Sequence, residues 1–197
     1  MPINENQATP VDRITVPKGF KVELIYSVPG PDHGSWVNLG LDNKNRIIAS
    51  DQFGGLYRFP APPLGQPLDP KTIKKIPVDI RAVNGILWAF DALYVAVNDY
   101  ERKIDSGLYR ITDSDGDDEL DKVEKLRSIP ARGDHGVHAL LLSPDKKSIY
   151  MITGNNAERT ETQVSRVPEH WGEDHLLARM PDGRGHNRGR LAPGGII

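Results

Sequence analysis

Ala92-Leu93-Tyr94-Val95-Ala96-Val97, closing on Gly107-Leu108-Tyr109-Arg110-Ile111, is the stretch on which the fold turns. An uncharged run with β-branched and aromatic side chains, bounded by a turn at Asp91, reads as a buried strand rather than a helix. With Gly85-Ile86-Leu87-Trp88 before it, the stretch forms a strand, turn, strand, turn, strand unit. The same order stands upstream, where an Asp42-Asn43-Lys44-Asn45 turn separates two apolar segments within 36–50 and Gly54-Gly55 leads into Leu56-Tyr57-Arg58-Phe59. Gly55-Leu56-Tyr57-Arg58 and Gly107-Leu108-Tyr109-Arg110 lie about fifty positions apart. A third copy runs from His138-Ala139-Leu140-Leu141-Leu142 through Ser143-Pro144-Asp145-Lys146-Lys147 to Ser148-Ile149-Tyr150-Met151-Ile152-Thr153.

A three-strand unit recurring at about fifty residues is the pattern of propeller blades, because each small twisted sheet must bury its faces on its neighbours. The expected fold is therefore all-β, a partial β-propeller of about three and a half blades over residues 20–197, preceded by an extended segment over 1–19. Within it, 20–28 alternates as a first half-buried strand. Ring closure needs about four blades or more, and Ala192-Pro193-Gly194-Gly195-Ile196-Ile197 starts a further apolar strand, so the chain reads as the front portion of a longer protein. An unclosed propeller exposes a sheet edge and an apolar face, and the isolated chain is expected to self-associate or aggregate. A small complete β-sandwich is the competing architecture.

Composition narrows the function. Of 197 residues, 25 are Lys or Arg and 27 are Asp or Glu, so the net charge of -2 offers no general attraction to nucleic acid. No apolar stretch reaches the ~18 residues of a membrane span. There is no cysteine, which excludes disulfides, thiolate metal sites, iron-sulfur clusters and covalently attached c-type haem. Redox chemistry would need a bound organic cofactor. The 19 Gly and 16 Pro fit many tight turns.

The strongest chemical signal is Asp113-Ser114-Asp115-Gly116-Asp117-Asp118-Glu119-Leu120-Asp121-Lys122-Val123-Glu124. Carboxylates at Asp113, Asp115, Asp117, Asp121 and Glu124 match the spacing of a calcium-binding EF-hand loop, with Glu119 offering its carbonyl and Glu124 closing the sphere. The sixth position, usually glycine in a left-handed turn, is Asp118, a residue type that tolerates that conformation. Without amphipathic flanking helices, a structural calcium site between strands fits better than a sensor; the alternative is a solvated acidic turn.

Between the second and third units stands Gly133-Asp134-His135-Gly136-Val137-His138-Ala139-Leu140, followed by Ser143-Pro144-Asp145 and, after an apolar strand, Gly154-Asn155. This resembles the motif of soluble quinoprotein glucose and sorbosone dehydrogenases, six-bladed propellers that hold pyrroloquinoline quinone over the channel and use calcium. The resemblance places His135 on the catalytic histidine, which takes a hydroxyl proton as hydride leaves for the quinone. The family's Gly-Arg is His138-Ala139 here, and its closing aspartate is Asn155. Asn155 and Asn156 are candidate cofactor or substrate contacts, or else turn formers.

Over 20–197 the chain is also similar to the N-terminal propeller of large planctomycete-type proteins labelled membrane-bound dehydrogenase or haem-binding. Phe20-Lys21-Val22-Glu23-Leu24-Ile25-Tyr26-Ser27-Val28-Pro29, Gly34-Ser35-Trp36-Val37, Ala49-Ser50-Asp51-Gln52-Phe53-Gly54 and Ala192-Pro193-Gly194-Gly195 carry that resemblance. It implies a periplasmic or secreted setting and a downstream half with a cytochrome c domain. The expected function is a calcium-binding propeller of a quinoprotein sugar or polyol dehydrogenase; the alternative is a non-catalytic, calcium-stabilised module that binds carbohydrate or protein. A hydrolase of the lactonase kind is a weaker third reading, since it would need ligands converging in the channel.

The remaining candidates are weaker. His135 and His138, three apart on an extended strand, would point to opposite faces and not share a metal. His170, His175 and His186 match no metal spacing. Arg179, Arg184, Arg188 and Arg190 lack interleaved aromatics and read as an exposed loop rather than a phosphate site. Trp36 and Trp88 read as core rather than as sugar platforms.

Overall fold

The computed structural model describes residues 8–131, 133–154 and 156–158, with the backbone of 195–196. Three antiparallel sheets follow one another along the chain. The first contains β1 (Trp36–Leu41), β2 (Arg46–Asp51), β3 (Leu56–Pro60) and β4 (Lys74–Lys75), in that spatial order. The second contains β5 (Val83–Ala89), β6 (Ala92–Val97), β7 (Gly107–Thr112) and β8 (Lys122–Ser128), again in order. The third holds β9 (Val137–Leu142), β10 (Ile149–Thr153) and β11 (Gly195–Ile196). Helix among the described residues is confined to short turns at Val11–Arg13, Gly30–His33 and Pro70–Thr72, and no helix among them is long and apolar enough to cross a membrane.

The apolar run of β6 explains itself once the sheets are stacked. Leu93, Val95 and Val97 face a core shared with Ile48 and Leu56 of the first sheet. Ala92, Tyr94 and Ala96 face a second core with Val137, Leu140 and Met151 of the third. A strand buried on both faces has no polar side to display. Each Leu or Val enclosed in this way contributes about 1.5–3 kcal/mol.

The repeat extends to fine geometry. The residue after each second strand donates its N–H to the residue before the first strand: Gln52 to Ser35 at 2.8 Å, Asn98 to Ala82 at 2.9 Å and Gly154 to Gly136 at 2.7 Å. Each first strand carries a register shift near its start, at Trp36/Asn38, at Val83/Gly85 and opposite Met151/Thr153. First strands also lie side by side, β1 on β5 and β5 on β9. Asn38 Nδ2 donates to Asn84 O at 3.1 Å, and a Cβ on Gly85 would stand 2.1 Å from His138 O, so only glycine permits this approach.

Two expectations change. Residues 20–28 belong to no sheet; they lie over the outer face of the first sheet, with Tyr26 packed near Ala49, Phe59 and Leu68 and Ile25 O accepting from Leu68 N at 2.8 Å. Their alternation is not one of burial, since Phe20, Leu24 and Ile25 stay exposed. The first two sheets also gain fourth strands, β4 and β8, which the three-strand unit omits. Both are lysine-bearing outer strands, mostly exposed, so their sequence carries little apolar alternation.

Candidate functional site

Asp113 follows β7 directly and organises the loop to β8 with one carboxylate. Its Oδ1 accepts N–H bonds from Asp115 at 3.2 Å and Gly116 at 2.7 Å, and its Oδ2 accepts from Asp118 N at 2.8 Å. Asp115 Oδ1 accepts from Asp117 N at 3.3 Å, and Asp117 Oδ1 from Glu119 N at 2.8 Å. Gly116 (φ 84) and Asp118 (φ 74) adopt left-handed backbone, which bends the chain back on itself. Asp118 therefore takes the conformation expected of the sixth loop position.

This bend brings ligand oxygens of Asp113, Asp115 and Asp117 within 4.8 Å of one another. Among the described residues, no ion pair involves these three carboxylates. The N–H bonds from Gly116, Asp118 and Asp115 hold the Asp113 carboxyl below its ordinary pKa, Gly116 contributing most. The donor set consists of hard oxygens, each carboxylate offers about four lone-pair sites, and only part of these are taken by N–H groups. Carboxylates at this density repel unless a cation lies among them, so the set fits calcium, whose six to eight oxygens can be completed by carbonyls and water.

The other counted ligands lie elsewhere. Asp121 accepts from Ser114 Oγ at 2.6 Å and Ser114 N at 2.9 Å, which depress its pKa and tie the two ends of the loop together. Glu119 reaches toward Arg58, 3.9 Å away. Glu124 is on β8, opposite Arg110 on β7 and 3.9 Å from its guanidinium. The structure thus gathers the carboxylates of Asp113, Asp115 and Asp117, while those of Asp121 and Glu124 have the partners just named.

Sequence reasoning missed what the loop holds. Asp118 receives Arg46 through two bonds of 2.6 and 2.8 Å and Lys44 at 3.0 Å. Its backbone O accepts from Arg58 at 2.7 Å. Arg46 also donates to the buried Asp42 at 2.6 Å. Arg46, first among these contacts, holds the Asp118 carboxyl well below the usual carboxylate range. A loop of the second sheet is thereby stapled to β2 and β3 of the first. One sequence signal existed: the recurring Gly-Leu-Tyr-Arg places Arg58 and Arg110 at matching positions, and both meet acidic residues of this region.

His135 sits in the bend 133–136 before β9. Asn98 Nδ2 donates to Gly133 O at 3.1 Å, His135 O accepts from Asn156 N at 2.9 Å, and Asn98 and Asn156 are each 2% exposed. Asn156 thus buttresses the histidine turn. His135 precedes the strand, so the opposite-face argument fails. Burial first, then the charge of His135, lowers the pKa of His138. Asn155 lies outside the described residues, as do His170, His175, His186 and the four arginines of 179–190.

Trp36 stacks on Phe59 at 5.2 Å and tilts against Tyr26 and Tyr57, both at 5.7 Å, while Trp88 packs on the core between the first two sheets. An open cleft of about 320 Å³ lined by Asp99, Arg102, Asp105 and Ser106 contains neither the acidic loop nor His135. Its buried carboxylate, Asp99, already accepts N–H bonds from Glu101, Lys103 and Ile104 at 2.9–3.1 Å.

Compared with known proteins, the chain matches no protein-family model and no curated protein.

Proposed function

We propose that this chain is a calcium-stabilised, propeller-like β-module in which a cation on Asp113, Asp115 and Asp117 stiffens the loop that staples the first sheet to the second. The observation that carries this reading is the convergence of three carboxylates with no cationic partner among the described residues, directly before the Arg46-bound Asp118. The blade-like arrangement is supported by sheets that follow chain order, first strands that lie side by side and a core between each successive pair. Calcium is favoured over magnesium because the loop offers several carboxylates, whereas magnesium keeps most of its water. A periplasmic or secreted setting suits a calcium-dependent module, and a module of this kind serves carbohydrate or protein binding.

The second reading is that of a quinoprotein dehydrogenase, with Asn155 and Asn156 near the cofactor. The bend that carries His135, held by the buried Asn98 and Asn156, favours it. Pyrroloquinoline quinone, when bound, supplies the hydride acceptor; His135 takes the proton of a sugar or polyol hydroxyl. Sugar-dependent dye reduction with added quinone, abolished in His135→Gln, distinguishes this reading from a binding module.

Thermal unfolding titrated with calcium and with magnesium tests the first reading. At about a hundredfold excess over Kd, calcium is expected to raise the melting temperature by roughly 5–10 °C. Asp115→Asn/Asp117→Asn should abolish the shift while keeping the Asp113 turn, and Glu124→Ala should retain it. No calcium shift, or an equal shift in the double variant, overturns the assignment.

A further inference from the structure

The repeat allows the faces of the three sheets to be compared residue by residue. Leu39, Ile86 and Leu140 occupy one position of the first strand, opposite Ala49, Val95 and Met151. Leu41, Trp88 and Leu142 occupy the next position on the same face, which each sheet turns toward the sheet before it. In the second and third sheets this leading face is covered: Ile86 and Trp88 pack on the first core, and Leu140 and Leu142 join the second. In the first sheet it is covered over Ala49 and Phe59 but left open at β1, with Leu39 64% and Leu41 54% exposed.

The trailing face shows the converse. Ile48, Tyr94 and Tyr150 are equivalent on the second strands, lying opposite Gly40, Leu87 and Leu141. Ile48 and Tyr94 are covered by the next sheet, at 0% and 9% exposure, whereas Tyr150 is 41% and Leu141 62% exposed. Among the described residues, one copy of each half of a junction that is made twice internally is thus left uncovered.

We propose that a second copy of this chain docks the β1 face carrying Leu39 and Leu41 onto the β9–β10 face carrying Leu141, Tyr150 and Ile152, head to tail, and that two copies close on each other as a six-sheet ring. The occupant follows from continuity: the surface that already fits each face is the opposite face of this same repeat. The segment carrying Tyr26 covers the outer part of the leading face, so docking takes place at β1, the strand through which the internal junctions run. A head-to-tail junction either closes or grows, and six sheets fall within the four to eight or so blades of closed propellers.

Light scattering on the wild-type chain, Leu39→Asp, Leu141→Asp and their equimolar mixture tests this. The wild type should have twice the monomer mass at all concentrations, and each variant, substituted at an exposed position, should be monomeric with an unchanged far-ultraviolet spectrum. The mixture should recover a two-chain species, since one copy keeps an intact head and the other an intact tail. Leu126→Asp, on the exposed β8, should leave the mass unchanged. The proposal is overturned by a monomeric wild type, which would give these faces to another segment of the polypeptide. It is equally overturned by masses that climb with concentration, by single variants that still pair, or by a mixture that stays monomeric.

Discussion

Replacing Asp118 by Asn tests whether the acidic loop holds two sheets together. Asn accepts the left-handed backbone that Asp118 adopts at φ 74, and it keeps the carbonyl that Arg58 binds. The variant removes the negative charge facing Arg46, Lys44 and Arg58, and with it one of the two oxygens that accept from Arg46. Hydrogen bonds to charged groups contribute about 1.5–3 kcal/mol, and exposed ion pairs about 0–1 kcal/mol. The Asp118 side chain is 39% exposed and that of Arg46 22%, and Arg46 retains Asp42 in the variant. The expected loss, discounted for this exposure, is about 1–2 kcal/mol. For a chain of this length that lowers the melting temperature by roughly 2–8 °C. Thermal unfolding followed by circular dichroism, at low salt and at about 0.5 M salt, should show the gap narrowing as the exposed side of the pair is screened. A variant melting within about a degree of wild type at low salt would refute the staple. So would strict additivity of Asp118→Asn and Arg46→Gln, because groups that interact directly must couple.

Gly85→Ala should destabilise by about 1–3 kcal/mol in urea unfolding, because its Cβ would stand 2.1 Å from His138 O; Gly30→Ala, with nothing within 4 Å, should change little, and equal effects would deny the close approach of β5 and β9. Stability should fall on acidification in two steps, measured as melting temperature against pH. The first begins below about pH 6.5, where the unfolded chain protonates a histidine whose folded counterpart, His138, resists charging. The second begins below about pH 4, because Asp113, Asp118 and Asp121 are depressed in the folded chain and the unfolded state takes up protons first. A curve flat from neutrality to pH 3 contradicts both.

Local pattern was enough wherever a strand had to be apolar. The segments that became β2, β6, β7, β9 and β10 stand between recognisable turns, and Asp113, Asp115 and Asp117 gather because a short loop cannot keep alternate side chains far apart. Counting to twelve placed Glu124 in that loop, but ladder pairing carries it into β8 across from Arg110. Residues 20–28 show how alternation misleads: the segment pairs with no strand, and of its apolar side chains Tyr26 joins a core while Phe20 and Leu24 stay exposed.

The sequence by itself determined an all-β chain of repeated units and an acidic loop, because burial, turn chemistry and carboxylate spacing act between residues near one another in the chain. Only the tertiary structure decided that Asp118 clasps Arg46, 72 positions away, that His135 precedes its strand, and which sheet faces are left bare. Those outcomes depend on how separate sheets stack, and stacking is set by the fit of whole faces, to which no single segment holds the key.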